Sequence, residues 1–520
     1  MSEAFTGNHL GMWRILGLEE PNEMPGLLSF DEPGVAALEL SVPYEQFMKK
    51  LLSPSEGYSP TVLGTDDRGT RYSIFNCHIT SGSMASGKPA PSSAIKMRST
   101  CAIAGQTIGE VQTESMNKLE FSAILFRSPT LADWWHVPGP DTQRNEDTIT
   151  EVQHTPTPVD LGTWDGISLR LACQLNVRHS SYPQSQGEPR AIGVDRDIYL
   201  RMASASSHPL QDYMRLLEMV CTFASIALQK SIDAPAITAY SSSYTLKLGS
   251  SGPVPLEIQV LWPLRGRTMH GRDDRIERLL SVESQADLIV RMLGKWHDNY
   301  ERLEPNTKPL LNSYQYSDLP QPERFLAAVS ALEGLHRIAY PQPSWPADEW
   351  RQRIDSVINT SAPKKLQKWA RGYLKNSNEP NLLMRLTQFC NDSSSFFISH
   401  DGSAFFGPAK AGPTEFVNSV AKLRNKFAHS LPQLASAQED IRRLNVYTRE
   451  CEALLLVSLF KYLGWTDEDV TLGGGSDAFE WFFIRNAFRR VKREGPDVAA
   501  TTEKNPTRGE TETTAETLLS

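Results

Sequence analysis

The chain has 520 residues, 40% of them hydrophobic, and a net charge of −8. That length admits two or three domains, and the apolar, Trp and Phe content excludes wholesale disorder. The acidic balance, taken alone, argues against a general nucleic-acid coat protein. Six scattered cysteines (Cys77, Cys101, Cys173, Cys221, Cys390, Cys451) form no C-x-x-C pair, which argues against zinc and against a disulfide scaffold and fits a reducing cytoplasm. "MSEAFTGNHLGMW" has neither the basic start nor the apolar run of a signal. "CEALLLVSLFKYLGW" is too short to span a membrane and carries Lys461.

In chain order, residues 1–270 read as a β-rich domain. "GVAALELSV", "TRYSIFNCHIT", "NKLEFSAILF", "GISLRLACQLNV", "DIYLRMAS", "YSSSYTLKL" and "VPLEIQVLWP" are short alternating or β-branched runs, separated by Gly, Pro, Ser and Asp clusters. One helix interrupts them, "HPLQDYMRLLEMVCTFASIALQKSI". Met214, Leu217, Val220, Cys221, Ala224 and Leu228 keep helical spacing, and Pro209 suits a start. A sandwich or barrel with one packed helix is the expected fold of this part.

Residues 271–493 change to helical periodicity, beginning with "DDRIERLLSVESQADLIVRMLGKWHDNYERL". Helices are expected at "PERFLAAVSALEGLHRIAY", "PADEWRQRIDSVINT", "PKKLQKWARGYLKN", "PNLLMRLTQFCND", "TEFVNSVAKLRNKFAH", "SAQEDIRRLNVYTRECEALLLVSLFKYLGW" and "SDAFEWFFIRNAFRRV". Prolines 322, 346, 363, 380 and 432 each stand near one of these starts. Residues 494–520 are Thr/Glu-rich without an apolar face and read as a disordered tail. The chain as a whole is therefore α+β and multidomain, a β-rich half followed by an all-α bundle. "GGGS" at 473–476 lacks the Lys and Ser/Thr of a phosphate loop.

Charge is uneven between the halves. Residues 320–490 hold 21 Lys/Arg against 18 Asp/Glu, a net +3, so the remainder carries −11. A phosphate-binding surface therefore belongs in the C-terminal half. There, "LRNKFAHSLP" sets Arg424, Asn425 and His429 on a helix whose Phe416, Val420, Leu423 and Phe427 form an apolar stripe. The spacing of an Arg and a His alone discriminates little: Arg71/His78, Arg201/His208, Arg265/His270 and Arg291/His297 share it. Three of those pairs fall in expected strands or loops, and in the fourth the Arg is followed by the apolar Met292. The plainer reading of Arg424 and His429 is a surface cation and a His that caps the helix C-terminus.

"LRNKFAHS" resembles the R-N-x-x-x-H motif of HEPN ribonucleases. "PERFLAAVSALEGLHRIAY" looks like the early helix of the HEPN bundle. The N-terminal stretches "GMWRILGLEEPNEMPGLLSFDEPGVAALELS", "TVLGTDDRGTRYSIFNCHI" and "LEFSAILFRSPTLADWW" resemble the N-terminal domain of ApeA-like antiphage proteins. The resemblance implies a metal-independent endoribonuclease that acts in abortive infection, working as a homodimer and needing no cofactor. By position Arg424 and His429 would be its catalytic pair, Asn425 its polar neighbour and Glu333 its helix acid, with Glu323 competing for that place. Implied partners are RNA (tRNA among the candidates), a phage-derived trigger sensed by the N-terminal domain, and a second copy, with no membrane.

The residue types suit that chemistry. RNA carries its own nucleophile, a 2′-hydroxyl. A group titrating near neutrality moves the proton, and a guanidinium fork stabilises charge on the phosphoryl oxygens. Lys364, Lys365, Lys368 and Arg371 form a basic run, with Trp369 and Tyr373 interleaved, that is a candidate for substrate binding. Its plainer reading is a solvated face with the aromatics turned into the core. "RNAFRRVKR" at 485–493 is a second such patch. Trp13, Trp134 and Trp135 are either a recognition surface or, for at least two of them, core. "HDNYE" at 297–301 reads as an exposed helix face. The rival to the ribonuclease is a non-catalytic dimeric binding protein whose β-rich domain recognises a protein or carbohydrate.

Overall fold

The computed structural model describes residues 5–17, 23–31, 34–42, 59–83, 93–105, 119–135, 141–145, 148–153, 156–179, 192–232, 236–247, 253–262, 280–315, 320–343, 345–358, 363–374, 378–394, 413–429 and 438–466. Two compact units divide the chain, one built from Met1–Leu319 and Leu459–Asp469, the other around Pro320–Ser458. The expected tail at 494–520, the basic patch at 485–493, the "GGGS" segment, the helix over 476–491 and Pro432 lie outside the described residues.

In the first unit the strands are β1 (Asn8–Ile15), β2 (Glu23–Ser29), β3 (Ala36–Val42), β4 (Val62–Asp66), β5 (Arg71–Phe75), β6 (His78–Ser83), β7 (Ser93–Ser99), β8 (Cys101–Gly105) and β9 (Glu120–Arg127). There follow β10 (Asp141–Asn145), β11 (Thr148–Gln153), β12 (Val159–Trp164), β13 (Ile167–His179), β14 (Ile192–Pro209), β15 (Ala236–Lys247) and β16 (Pro253–Leu261). Fourteen of them form one antiparallel sheet in the order β12-β13-β14-β9-β15-β16-β8-β5-β4-β1-β2-β3-β7-β6, and β10-β11 pair by themselves. The β-rich expectation holds, and the strands form one continuous open sheet. Alternation could identify the strands, but it says nothing about closure, which depends on register and twist between strands distant in sequence.

Trp13 organises one end of that sheet. It is fully buried, and its Nε1–H donates to Gly26 O at 3.2 Å. It faces Gly64 across the β1–β4 pair, where an added Cβ would stand 2.1 Å from the indole Cε3. Only glycine leaves room for the ring there. Beside it, His9, Asp66 and Tyr72 form a buried polar knot. His9 Nδ1 lies 3.0 Å from Asp66 Oδ2, and Nε2–H donates to Thr6 O at 2.9 Å. Asp66 Oδ1 accepts from the amides of Arg68 and Thr70. The buried carboxylate is thus tied to the β4–β5 turn as well as to β1. At the other end, Asp165 and Gly166 turn between β12 and β13 with φ of 53° and 78°, as a tight Asp-Gly hairpin requires.

The helices of this unit are α1 (Pro129–Trp134), α2 (Leu210–Leu228) and α3 (Val282–Gln315). Fourteen residues of α2 are buried, and Tyr213 donates to Phe121 O at 3.0 Å, so α2 is a core helix, apolar nearly all round. Trp296 of α3 is fully buried and donates to Met219 O on α2 at 3.1 Å. Through this contact α3 groups with the sheet. It also continues past the expected end at Leu303, through Pro305 and Pro309. Asn306 and Thr307 donate side-chain hydrogen bonds to the carbonyls of Arg302 and Glu304 in the same turns. Trp13, Trp134 and Trp135 are all buried, so none of the three is a recognition surface. His297, on the "HDNYE" face, stacks on Trp164 at 5.0 Å.

The second unit is helical: α4 (Gln321–Ala339), α5 (Ala347–Ile358), α6 (Lys364–Leu374), α7 (Leu382–Asp392), α8 (Pro413–His429) and α9 (Gln438–Leu463), whose last turn belongs to the first unit. Pro322 is the second residue of α4, and prolines 346, 363 and 380 stand just before the starts of α5, α6 and α7. Asn381 caps α7 by accepting from Met384 N.

Candidate active site

Pro413 opens α8, where its missing N–H leaves no bond unmade, and Glu415 lies near the positive end of the helix dipole. Phe416, Val417 and Val420 are buried, whereas Leu423 and Phe427 are half-buried. The Phe416 ring lies 6.3 Å from Tyr447 on α9, and the Phe427 ring 6.5 Å from Phe325 on α4. The expected stripe therefore does seat α8 in the bundle, most tightly at its start.

Arg424 is half-buried at the border of the stripe, and Asn425 is exposed. Arg424 Nη1 donates to Asn425 Oδ1 at 3.4 Å, a bond long enough for a phosphate oxygen to displace. His429 is the last residue of α8, and its side chain falls outside the described ones. On one helix a residue five positions on stands about 7.5 Å along the axis and about 140° around it. Positions 424 and 429 are thus well separated around the axis of α8. Lys422 is exposed and Lys426 half-buried, adding cations around Arg424. Along the first turns of α8, Thr414, Glu415, Asn418, Ser419 and Lys422 line an open depression of about 420 Å³.

Glu333 lies two turns up α4 from Phe325, about 12 Å along the axis, and is half-exposed. Its backbone carbonyl accepts from Arg385 Nη1 at 3.3 Å. Among the described residues no hydrogen bond or ion pair joins Glu333 to Arg424 or Asn425. Glu323 is exposed in the first turn of α4, next to Arg324 and close to the Phe325 level that faces Phe427.

Two buried polar groups of this unit lay outside the sequence reading. Arg324 on α4 forms a bidentate pair with Glu452 on α9, both contacts 2.6 Å, with side chains 11% and 8% exposed. Arg385 on α7 is 4% exposed and donates to Pro380 O, Glu333 O and Glu379 Oε2. The signal for Arg385 was present: it continues the apolar spacing of Leu382, Leu386 and Phe389. Beside it, His336 Nε2–H donates to Gln388 Oε1 at 3.0 Å, and Tyr340 donates to Asp392. These links, 333 to 385, 336 to 388 and 340 to 392, keep one offset, so α4 and α7 run parallel. Burial pushes the His336 pKa below its ordinary 6.5, partly opposed by the Gln388 bond.

The other expected site residues stand apart from α8 in sequence, on α6. Lys364, Lys365, Lys368 and Arg371 are all exposed, and Arg371 Nη2 pairs with Asp355 on α5 at 3.1 Å. Trp369 and Tyr373 are 61% and 75% exposed, so the expectation that they turn into the core is overturned. The helix is amphipathic, but α5 covers only its Gln367, Ala370 and Leu374 side, which leaves the aromatic edge bare.

Residues 8–277 match the family model of ApeA N-terminal domain 1, and residues 326–469 match that of Apea-like HEPN. No curated protein matches the chain. Arg424, Asn425, His429 and Glu333 all fall inside the HEPN match. The helical half thus has a HEPN nuclease-type fold, and its pairing with the ApeA domain indicates a part in antiphage defence. Since the first match alone spans just over half of its residues, and the second accounts for the helices that carry Arg424 and His429, the chain belongs to the ApeA family, with a β-rich ApeA N-terminal domain followed by an ApeA-like HEPN domain.

Proposed function

We propose that the chain is a metal-independent HEPN endoribonuclease that cleaves cellular or phage RNA and halts growth when a phage-derived trigger engages its N-terminal domain. The observation that carries this reading is the position of Arg424 and Asn425, beside the buried stripe of α8 rather than within it. In this mechanism His429 moves the proton of the RNA 2′-hydroxyl as it attacks the adjacent phosphorus. Arg424 stabilises charge on the phosphoryl oxygens, and Asn425 donates a further hydrogen bond. The P–O5′ bond breaks as the protonated histidine gives its proton to the departing O5′, leaving a 2′,3′-cyclic phosphate and a 5′-hydroxyl. A carboxylate from α4, Glu333 or Glu323, completes the set.

The separation of positions 424 and 429 around the axis of α8 supports a homodimer in which the Arg of one copy works with the His of the other. Substrate RNA, tRNA among the candidates, is held by the exposed lysines of α6 in a cytoplasmic setting. In lysate of phage-infected cells, the full-length protein should cleave added RNA in EDTA, and His429→Ala and Arg424→Ala should each lower cleavage at least ~100-fold with unchanged far-UV CD of the purified variants. Full activity in both variants would remove this site from consideration. Full activity of a strict monomer by light scattering would remove the shared site.

A further inference from the structure

The segment from Trp345 to Asn378 forms a helical arm. Asn378 ties its two ends: its Oδ1 accepts from Trp345 N and its Nδ2 donates to Trp345 O, both at 2.9 Å. Within the arm α5 and α6 pack chiefly on each other, and Arg353 lies 3.5 Å over the Trp345 ring. Only Ile358 is buried on α5, and no residue of α6 is. Leu366, Trp369 and Tyr373 are 49%, 61% and 75% exposed and follow i, i+3, i+7 spacing, which gives one bare stripe. The Trp369 and Tyr373 rings, 5.3 Å apart and tilted by 31°, make a continuous aromatic surface. Lys364, Lys365 and Lys368 flank that stripe, and among the described residues none of them has an ion-pair partner. No acid lies on α6.

An exposed aromatic surface bordered on one side by cations matches one ligand chemistry closely: a strand with phosphates along one edge and bare base faces beside them. A duplex offers the phosphates but keeps its base faces stacked inside. A protein groove that took this face would have to neutralise three lysines as well as cover the rings. We propose that the α5–α6 arm is a binding platform for unpaired RNA, with bases stacking on Trp369 and Tyr373 and phosphates on Lys364, Lys365 and Lys368. The proposal deepens the ribonuclease reading by naming single-stranded segments as the substrate class, and it separates capture on the arm from chemistry at α8.

The test is fluorescence anisotropy with the full-length chain carrying His429→Ala, so that bound RNA stays intact. The probes are a labelled, non-self-complementary RNA roughly 12 nucleotides long and the same strand annealed to its complement. Trp369→Ala with Tyr373→Ala should weaken single-strand binding about tenfold or more, change duplex binding little, and leave the melting temperature unaltered because both rings are exposed. Trp369→Phe with Tyr373→Phe should restore most of the affinity. Replacing the three lysines by Gln should weaken both probes and flatten the salt dependence. Single-strand affinity unchanged by the aromatic double variant would overturn the platform, as would loss of a protein partner with RNA binding intact. If the platform binds but the protein with His429 intact cleaves nothing in lysate of phage-infected cells, the ribonuclease reading fails and the binding site stands.

Discussion

At the scale of single residues, close fits carry the clearest consequences. Gly64→Ala would drive a methyl into the Trp13 ring, which is fully buried and held at its Nε1, so neither partner can yield cheaply. A loss of about 1–3 kcal/mol is expected, read as a lower urea midpoint with an unchanged m-value. His336 should make the HEPN unit sensitive to acid. Burial holds its folded pKa below the ordinary 6.5, so the unfolded chain binds the proton more tightly. Its share of stability is complete above about pH 6.5 and is lost as pH falls through the folded pKa. Urea midpoints at about pH 7.5 and about 5.5 should diverge less in His336→Gln than in the parent.

Among elements, the link between α4 and α9 is the informative one. The Arg324–Glu452 pair is nearly buried and bidentate, so removing one partner strands a charge. Arg324→Met should cost about 3–5 kcal/mol by urea denaturation, and replacing both partners by apolar residues should recover much of that. Because Arg324 lies one residue from Phe325, whose ring meets Phe427, the single variant should also weaken RNA cleavage by loosening the seat of α8. The helices of this unit were legible in advance: apolar spacing and prolines marked α4 to α9. The apolar spacing around Arg385 marks it for burial, but a lone Arg324 reads as a surface residue until the facing helix shows its acceptor.

For the whole molecule, α9 is the element that neither half can give up. Its body belongs to the HEPN unit, while its last turn groups with the sheet unit. There Phe460 is fully buried, 6.4 Å from Phe223 and 5.5 Å from Trp465, and Tyr462 donates to Asn299 at 3.1 Å. Phe460→Ala should cost about 3–5 kcal/mol. Because α9 is one continuous helix, calorimetry should show its two units losing stability together. The same feature bears on control of the nuclease. A fragment starting near Asp273 would strip Trp296 of Met219, and any fragment without the sheet would bare Phe460. The proposed nuclease activity is therefore best tested in the full chain, by toxicity on infection with and without His429→Ala.

By itself the sequence determined the division into a β-rich half and a helical half, the core helix α2, the stripe of α8, and the placement of Arg424 and Asn425 beside that stripe. Periodicity and helix-start residues are local, and local signals survive without knowledge of what packs against them. Tertiary structure alone decided that fourteen strands join in one open sheet, that α3 groups with that sheet, and that Arg324 is buried. It also decided that Trp369 and Tyr373 face solvent. The periodicity of α6 shows an apolar side, but how much of that side a neighbour covers depends on packing the sequence does not show, and here Leu366, Trp369 and Tyr373 are left exposed.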